Sequence, residues 1–210
     1  MQGSTAVLGF GSNLMQGHRI VTKHLDFLLC SQFDTDLQDL LVDMKSLSKL
    51  INDISAGNQR KLHSYIFHDT IILLGYRLIY ISPMGDLNFT NHLENALYLG
   101  LAAFLITFTR RLDRSIPDMP LLSELARSAV QEHFDDAKET QELLLWILFI
   151  GECSIFKEVD DAWLVPKVMQ KMQALDLHTW GDVQRTFAKW PWVSAVHDKT
   201  GEALCRRSNS

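Results

Sequence analysis

The sequence predicts a single all-α domain of about seven to nine helices arranged around one central apolar helix. Three observations carry that prediction. The strong apolar segments repeat at spacings of three and four residues, and no segment of convincing length alternates with period two. The run Leu143-Leu-Leu-Trp-Ile-Leu-Phe-Ile150 leaves no polar face, so the helix that carries it must be covered on all sides. All five tryptophans lie between Trp146 and Trp192, which concentrates the largest apolar side chains around that helix. The helical domain is drawn over residues 35–205, after a weakly structured lead-in at 1–34 and before a short tail at 206–210.

The elements follow in order. The lead-in carries only a short amphipathic piece from Ile20 to Leu29, and its Gly9-Phe-Gly11 lacks the third glycine and the Lys-Ser/Thr of a phosphate loop. Thr35-Asp-Leu-Gln38 reads as a capping box that opens the first helix. Leu37, Leu40, Met44, Leu47, Ile51 and Ile54 then form one stripe, too short and too weakly flanked by charge for a coiled coil, and so a face for the core. Gly57-Asn58 stops it.

A second helix is predicted over Gln59–Ile81. It is apolar on almost every face from Ile71 onward, which predicts a central position, and Ser82-Pro-Met-Gly85 breaks it. Thr90–Leu112 is the third, with Ala96, Gly100, Ala102 and Ala103 small enough to admit a close neighbour. Pro117 and Pro120 bracket a loop with Asp118 as N-cap, and Leu121–Phe134 is the fourth. Glu139–Phe156 is the central helix. Asp160–Leu175 follows, with Pro166 as a kink or a fresh first turn, and Thr179-Trp-Gly-Asp182 opens a last helix that Pro191 stops. Pro191 prevents Trp190 and Trp192 from both continuing that helix, and at least one ring is expected to fold back as a lid on the helices carrying Trp146 and Trp163.

Composition narrows the function. A net charge of −5 over 210 residues argues against a nucleic-acid surface spread over the domain. The basic clusters Arg110-Arg111 with Arg114, and Arg206-Arg207, read as helix ends. Three cysteines, Cys30, Cys153 and Cys205, in no paired spacing read as reduced thiols, with Cys153 buried and inert beside the apolar run. Met1–Phe10 has no basic flank and no long apolar region, which predicts no secretory signal, and the longest apolar stretch, Ala96–Thr109, falls short of a membrane span. An intracellular protein, nuclear or cytoplasmic, is expected.

Catalytic and metal chemistry find no foothold in the residues. His63 and His68 lie five apart, about 140° around a helix, unlike a one-face ligand pair. His92-Leu-Glu94 lacks the Pro-Cys-x-x-Cys partner of a zinc deaminase. No nucleophile elbow or cysteine signature is present, and Asp135-Asp136 and Asp160-Asp161 read as caps and solvated turns. No catalytic residue, metal ligand or cofactor is therefore assigned.

One longer pattern remains: Leu145-Trp-Ile-Leu148, Asp161-Ala-Trp163, Thr179-Trp-Gly-Asp-Val183, Phe187-Ala-Lys-Trp-Pro-Trp192 and His197-Asp-Lys-Thr-Gly-Glu-Ala-Leu204. In this order and spacing it resembles the C-terminal half of fungal-specific transcription factor domains, the helical regulatory regions of zinc binuclear cluster activators. The resemblance implies a nuclear regulatory module that relays signals from protein partners of the transcription machinery or from a small-molecule effector. The family's six-cysteine DNA-binding cluster is absent, so direct DNA binding by this chain is not expected, and its closing Leu-Trp is replaced by Leu204-Cys205. The readings from other classes are an α-helical enzyme with a pocket of scattered residues and a pure protein–protein scaffold.

Overall fold

The computed structural model describes residues 33–84, 89, 91–112 and 118–209, without the side chains of 110–112. Among them lie eight α-helices, one 3-10 turn and no strand: α1 Thr35–Ser55, α2 Ser64–Ile81, α3 His92–Leu112, α4 Pro120–Gln131, α5 Lys138–Ser154, the turn Glu158–Asp160, α6 Asp161–Ala174, α7 Trp180–Phe187 and α8 Ser194–Ser208. One continuous apolar cluster joins them, so the fold is a single all-α domain as expected. The lead-in piece Ile20–Leu29, the Gly9-Phe-Gly11 stretch, Cys30, Arg114 and Pro117 lie outside the described residues.

The central helix is where the apolar run places it. Every side chain from Leu143 to Ile150 in α5 is buried, and α3, α4, α6, α7 and α8 all pack on it. The closest approach is with α3, at the small residues singled out there. A Cβ added to Gly100 would stand 2.6 Å from Cζ3 of Trp146, so only glycine lets the indole lie against the α3 backbone. At the far end of α5, the amides of Ile155 and Phe156 both donate to the Gly151 carbonyl at 2.8 Å. The chain thereby turns back, and the Phe156 ring covers the position where Gly151 would carry a side chain.

Helix starts show how local chemistry competes. The α1 cap is Asp34, not Thr35: its carboxylate accepts from the Asp36 amide at 2.9 Å, and Gln38 donates to the Phe33 carbonyl instead of closing a box. Aspartate one residue earlier is as good a cap as threonine and also meets the helix dipole. The second helix starts at Ser64 rather than Gln59. Gln59, Arg60 and Lys61 offer no apolar face to bury, and two cations oppose the positive end of a helix dipole. Asn91 caps α3 through the Leu93 amide at 2.9 Å. Met119 rather than Asp118 precedes α4, with Pro120 at its first position, while Asp118 pairs with Lys157.

At α7 the predicted box is present in full. Thr179 accepts from the Asp182 amide at 3.2 Å, and Asp182 accepts from the Thr179 amide at 2.8 Å. The Thr179 hydroxyl and then the Thr179 and His178 amides hold the Asp182 carboxyl below its ordinary pKa. A single helix, α6, runs through Pro166. The boundary drawn at 205 falls inside α8, which continues to Ser208; Arg207 there pairs with Glu152 and Asp161 and belongs to the domain.

Candidate interaction surface

The aromatic pattern of the last third of the chain converges on one place. Trp190 stacks on Trp146 with ring centroids 5.7 Å apart, and the Trp146 indole donates to the Pro191 carbonyl at 3.0 Å. Trp192 sits between Phe187 at 4.9 Å and His197 at 4.9 Å, and Phe149 faces both Phe187 and Trp180. A Cβ on Gly201 would lie 2.6 Å from the Trp180 ring, so α8 approaches as closely as α3 does on the other side. Both rings that flank Pro191 are buried, and Trp190 forms the expected lid on Trp146 while Trp192 packs on Phe187, Trp180 and His197. Trp163 belongs to a different contact, packed on Phe156 with the Arg127 guanidinium 5.0 Å above it.

Polar groups around this cluster are committed to structure. Asn52 of α1 donates to the Trp192 carbonyl at 2.8 Å and accepts from the Ser194 amide at 2.9 Å, which clamps the start of α8 onto α1. Buried His197 accepts from the Val193 amide at 3.0 Å through Nδ1. A groove of about 310 Å³ runs between α1 and these residues, rimmed by Lys45, Lys49 and Gln184 and floored by Trp190 and Trp192. Gln184 donates to Asp198.

Perturbed titratable groups, the usual pointer to an active site, occur singly here. Burial raises the Glu152 carboxyl although Arg207 opposes it, burial and Lys167 lower the Lys171 amine, and burial raises the Cys205 thiol. Each of these three sits in its own contact, with Arg207, Gln141 and Asn209 respectively. Glu94 ties the start of α1 to α3 by accepting from the Asp34 amide, a structural duty. Asp160 accepts from the Lys157 amide, and Asp135-Asp136 lie exposed between α4 and α5. His63, which precedes α2, and His68 on it are exposed, and Cys153 is half-buried rather than enclosed. Among the described residues no three His, Cys, Asp or Glu side chains converge, and no helix is long and apolar enough to cross a membrane.

The outlier is α2. Its predicted central position is wrong: it packs chiefly on α1 and α3, and only Ile71, Leu74 and Leu78 are buried along it. The opposite side of the helix carries Tyr65, Ile72, Tyr76, Ile79 and Tyr80, with Ile66 and Leu73 at its edge. The three tyrosines are 73%, 68% and 88% exposed. Three such rings and four exposed aliphatic residues amount to roughly 800 Å² of accessible surface, more than the largest apolar patch of an ordinary monomer. Beside this face, Asp36, Tyr76, Arg77, Tyr80 and Ile81 line a shallow depression of about 420 Å³. Arg77 is anchored there by buried Asp43.

Isoleucine and leucine dominate α2 and predict a core helix. Its tyrosines were the missed signal, since an aromatic with a polar tip tolerates water where Phe does not. No protein-family model matches the chain, and no curated protein or solved structure is significantly similar to it.

Proposed function

We propose that this chain is a protein-binding regulatory module: a helical domain of the fungal transcription-factor type, without a DNA-binding cluster, that acts through the exposed face of α2. The observation that carries the reading is the Tyr65–Tyr80 face, chiefly apolar with the exposed Asp69 among its rings, and built on a helix whose other side is locked into the core. Such a face suits a partner helix that presents its own apolar ridge, with the tyrosine hydroxyls left at a polar rim. The spacing of the aromatic residues from Trp146 to Trp192, which resembles the regulatory domain family, supports the setting in transcription.

The test is a reporter assay in fungal cells with the full chain fused to a heterologous DNA-binding domain. The parent fusion should change transcription, and Ile72→Lys with Ile79→Lys should abolish that change while leaving the melting temperature within a few degrees. A fusion that leaves the reporter at its basal level overturns the proposal. A melting temperature raised by a small metabolite would favour the enzyme reading instead, because a ligand of the native state stabilises by mass action.

A further inference from the structure

We infer that the partner on α2 is a second copy of this chain, docked antiparallel across Ile72; the inference rests on the proposed role of the α2 face. The first support is area. Tyr65, Ile72, Tyr76, Ile79 and Tyr80, without the edge residues Ile66 and Leu73, offer roughly 700 Å², close to what each protomer contributes to a stable interface.

The second is Gly75. Gly100, Gly151 and Gly201 each have a ring within 2.6 Å of the position a Cβ would take, so the fold itself requires them. Gly75 has nothing within 4 Å and a helical φ, so nothing within the described chain explains a glycine in the middle of α2. Glycine there weakens the helix relative to alanine, and it belongs where another backbone comes close. It lies on the row His68, Ile72, Gly75, Ile79, at spacings of four, three and four, along one edge of the exposed face.

The third is register. Tyr65, Ile72 and Ile79 are spaced by seven, so an antiparallel pair centred on Ile72 sets Tyr65 against Ile79 of the second copy and Ile72 against itself. Tyr65 of the second copy then falls beside the depression lined by Tyr76, Arg77 and Tyr80. Asp69, the acid on the exposed side, stands about 9 Å along the axis from its symmetry mate in this arrangement. A parallel pair would place Asp69 against Asp69, which like-charge repulsion disfavours.

Sedimentation equilibrium of the full chain up to about 100 µM, a range in which weak homodimers form, tests the inference. The expected species is twice the 24.0 kDa mass of one chain. Ile72→Lys should weaken it at least tenfold. Gly75→Ala should also weaken it tenfold or more and yet raise the melting temperature of the dilute monomer, a split of sign that damage to the fold cannot produce. Oxidation of Ile72→Cys should join two chains through the introduced thiols, located by peptide mass spectrometry.

A monomer throughout that range overturns the inference, whether α2 is bare or covered by residues 1–32. A dimer indifferent to Ile72→Lys and Gly75→Ala overturns it as well, because another surface then makes the contact. Reporter activity that still depends on α2 in a monomeric chain leaves the proposed function standing and removes only the second copy as its occupant. A dimer whose fusion leaves the reporter inert removes the function and keeps the dimer.

Discussion

Leu143–Ile150 and Ile71–Ile81 are both strongly apolar stretches; the first reads as a helix with no polar side and the second as one apolar on almost every face. Among the described residues, the first is enclosed by five helices and has no exposed residue, while the second packs chiefly on two helices and leaves Ile72, Leu73, Tyr76, Ile79 and Tyr80 exposed. Apolarity therefore predicts that a helix wants cover on all sides, but the neighbours available decide whether it gets it. Around α5 the cover comes from glycines that admit rings and from a proline-broken segment that lays Trp190 over Trp146. Around α2, Gly75 at the edge of the exposed face meets nothing among the described residues.

If the cover on α5 holds the domain together, removing it should have the largest effect. Trp146→Ala is expected to cost toward the upper end of about 3 to 5 kcal/mol, because it deletes a fully buried ring and orphans the Pro191 carbonyl. Trp190→Ala should cost less, closer to about 3 kcal/mol. Its ring is slightly less enclosed, and among the described residues its indole N–H has no hydrogen-bond partner, so no bond is lost with it. Chemical denaturation of the two variants checks both the size and the order; equal costs would mean that the hydrogen bond to Pro191 contributes nothing net.

The α3–α5 contact gives a smaller and sharper effect. Gly100→Ala adds one methyl group at a point 2.6 Å from Trp146 and 2.9 Å from Ile147, and it must push α3 and α5 apart. Overpacking of this kind costs about 1 to 3 kcal/mol even though alanine is the better helix former. The same substitution at Gly75, where no neighbour among the described residues lies within 4 Å, carries only the propensity gain in the dilute monomer. An urea midpoint for Gly100→Ala at or above that of the parent would show that the two helices slide apart freely.

Much of this was legible in the residues. The all-helical class, α5 as the centre, the small-residue approach on α3, the Thr179–Asp182 box and the tryptophan lid all follow from short-range rules, each needing only a few neighbouring positions. The misplacement of α2 has a different origin. Helix periodicity reports which faces are apolar, and nothing in a stretch of isoleucine, leucine and tyrosine says how many elements will arrive to cover them. The shift from Thr35 to Asp34 and from Asp118 to Met119 has a third origin: adjacent residues offered comparable caps, and tertiary partners, Glu94 on the Asp34 amide and Lys157 on Asp118, took part in the choice. The candidate surface itself was visible only as a contradiction between a sequence that reads as core and a helix with two neighbours.

The smallest expected effect sits on that surface. Tyr80 is 88% exposed at the end of α2, and serine has nearly the same helix propensity as tyrosine, so Tyr80→Ser should leave the stability of a dilute monomer within about 0.5 kcal/mol of the parent. A second copy on the face changes the result in a defined way. Association stabilises the parent more as protein concentration rises, and a variant that associates less gains less. Denaturation at two concentrations a hundredfold apart should therefore give superimposable curves for parent and variant in the dilute sample and a lower midpoint for Tyr80→Ser in the concentrated one. A cost above about 1.5 kcal/mol that does not change with concentration would mean that the ring is already covered within its own chain, since only a buried large side chain is that expensive to truncate. The contrast between α5 and α2 would then be one of which segment supplies the cover, and residues 1–32 would be the place to look for it.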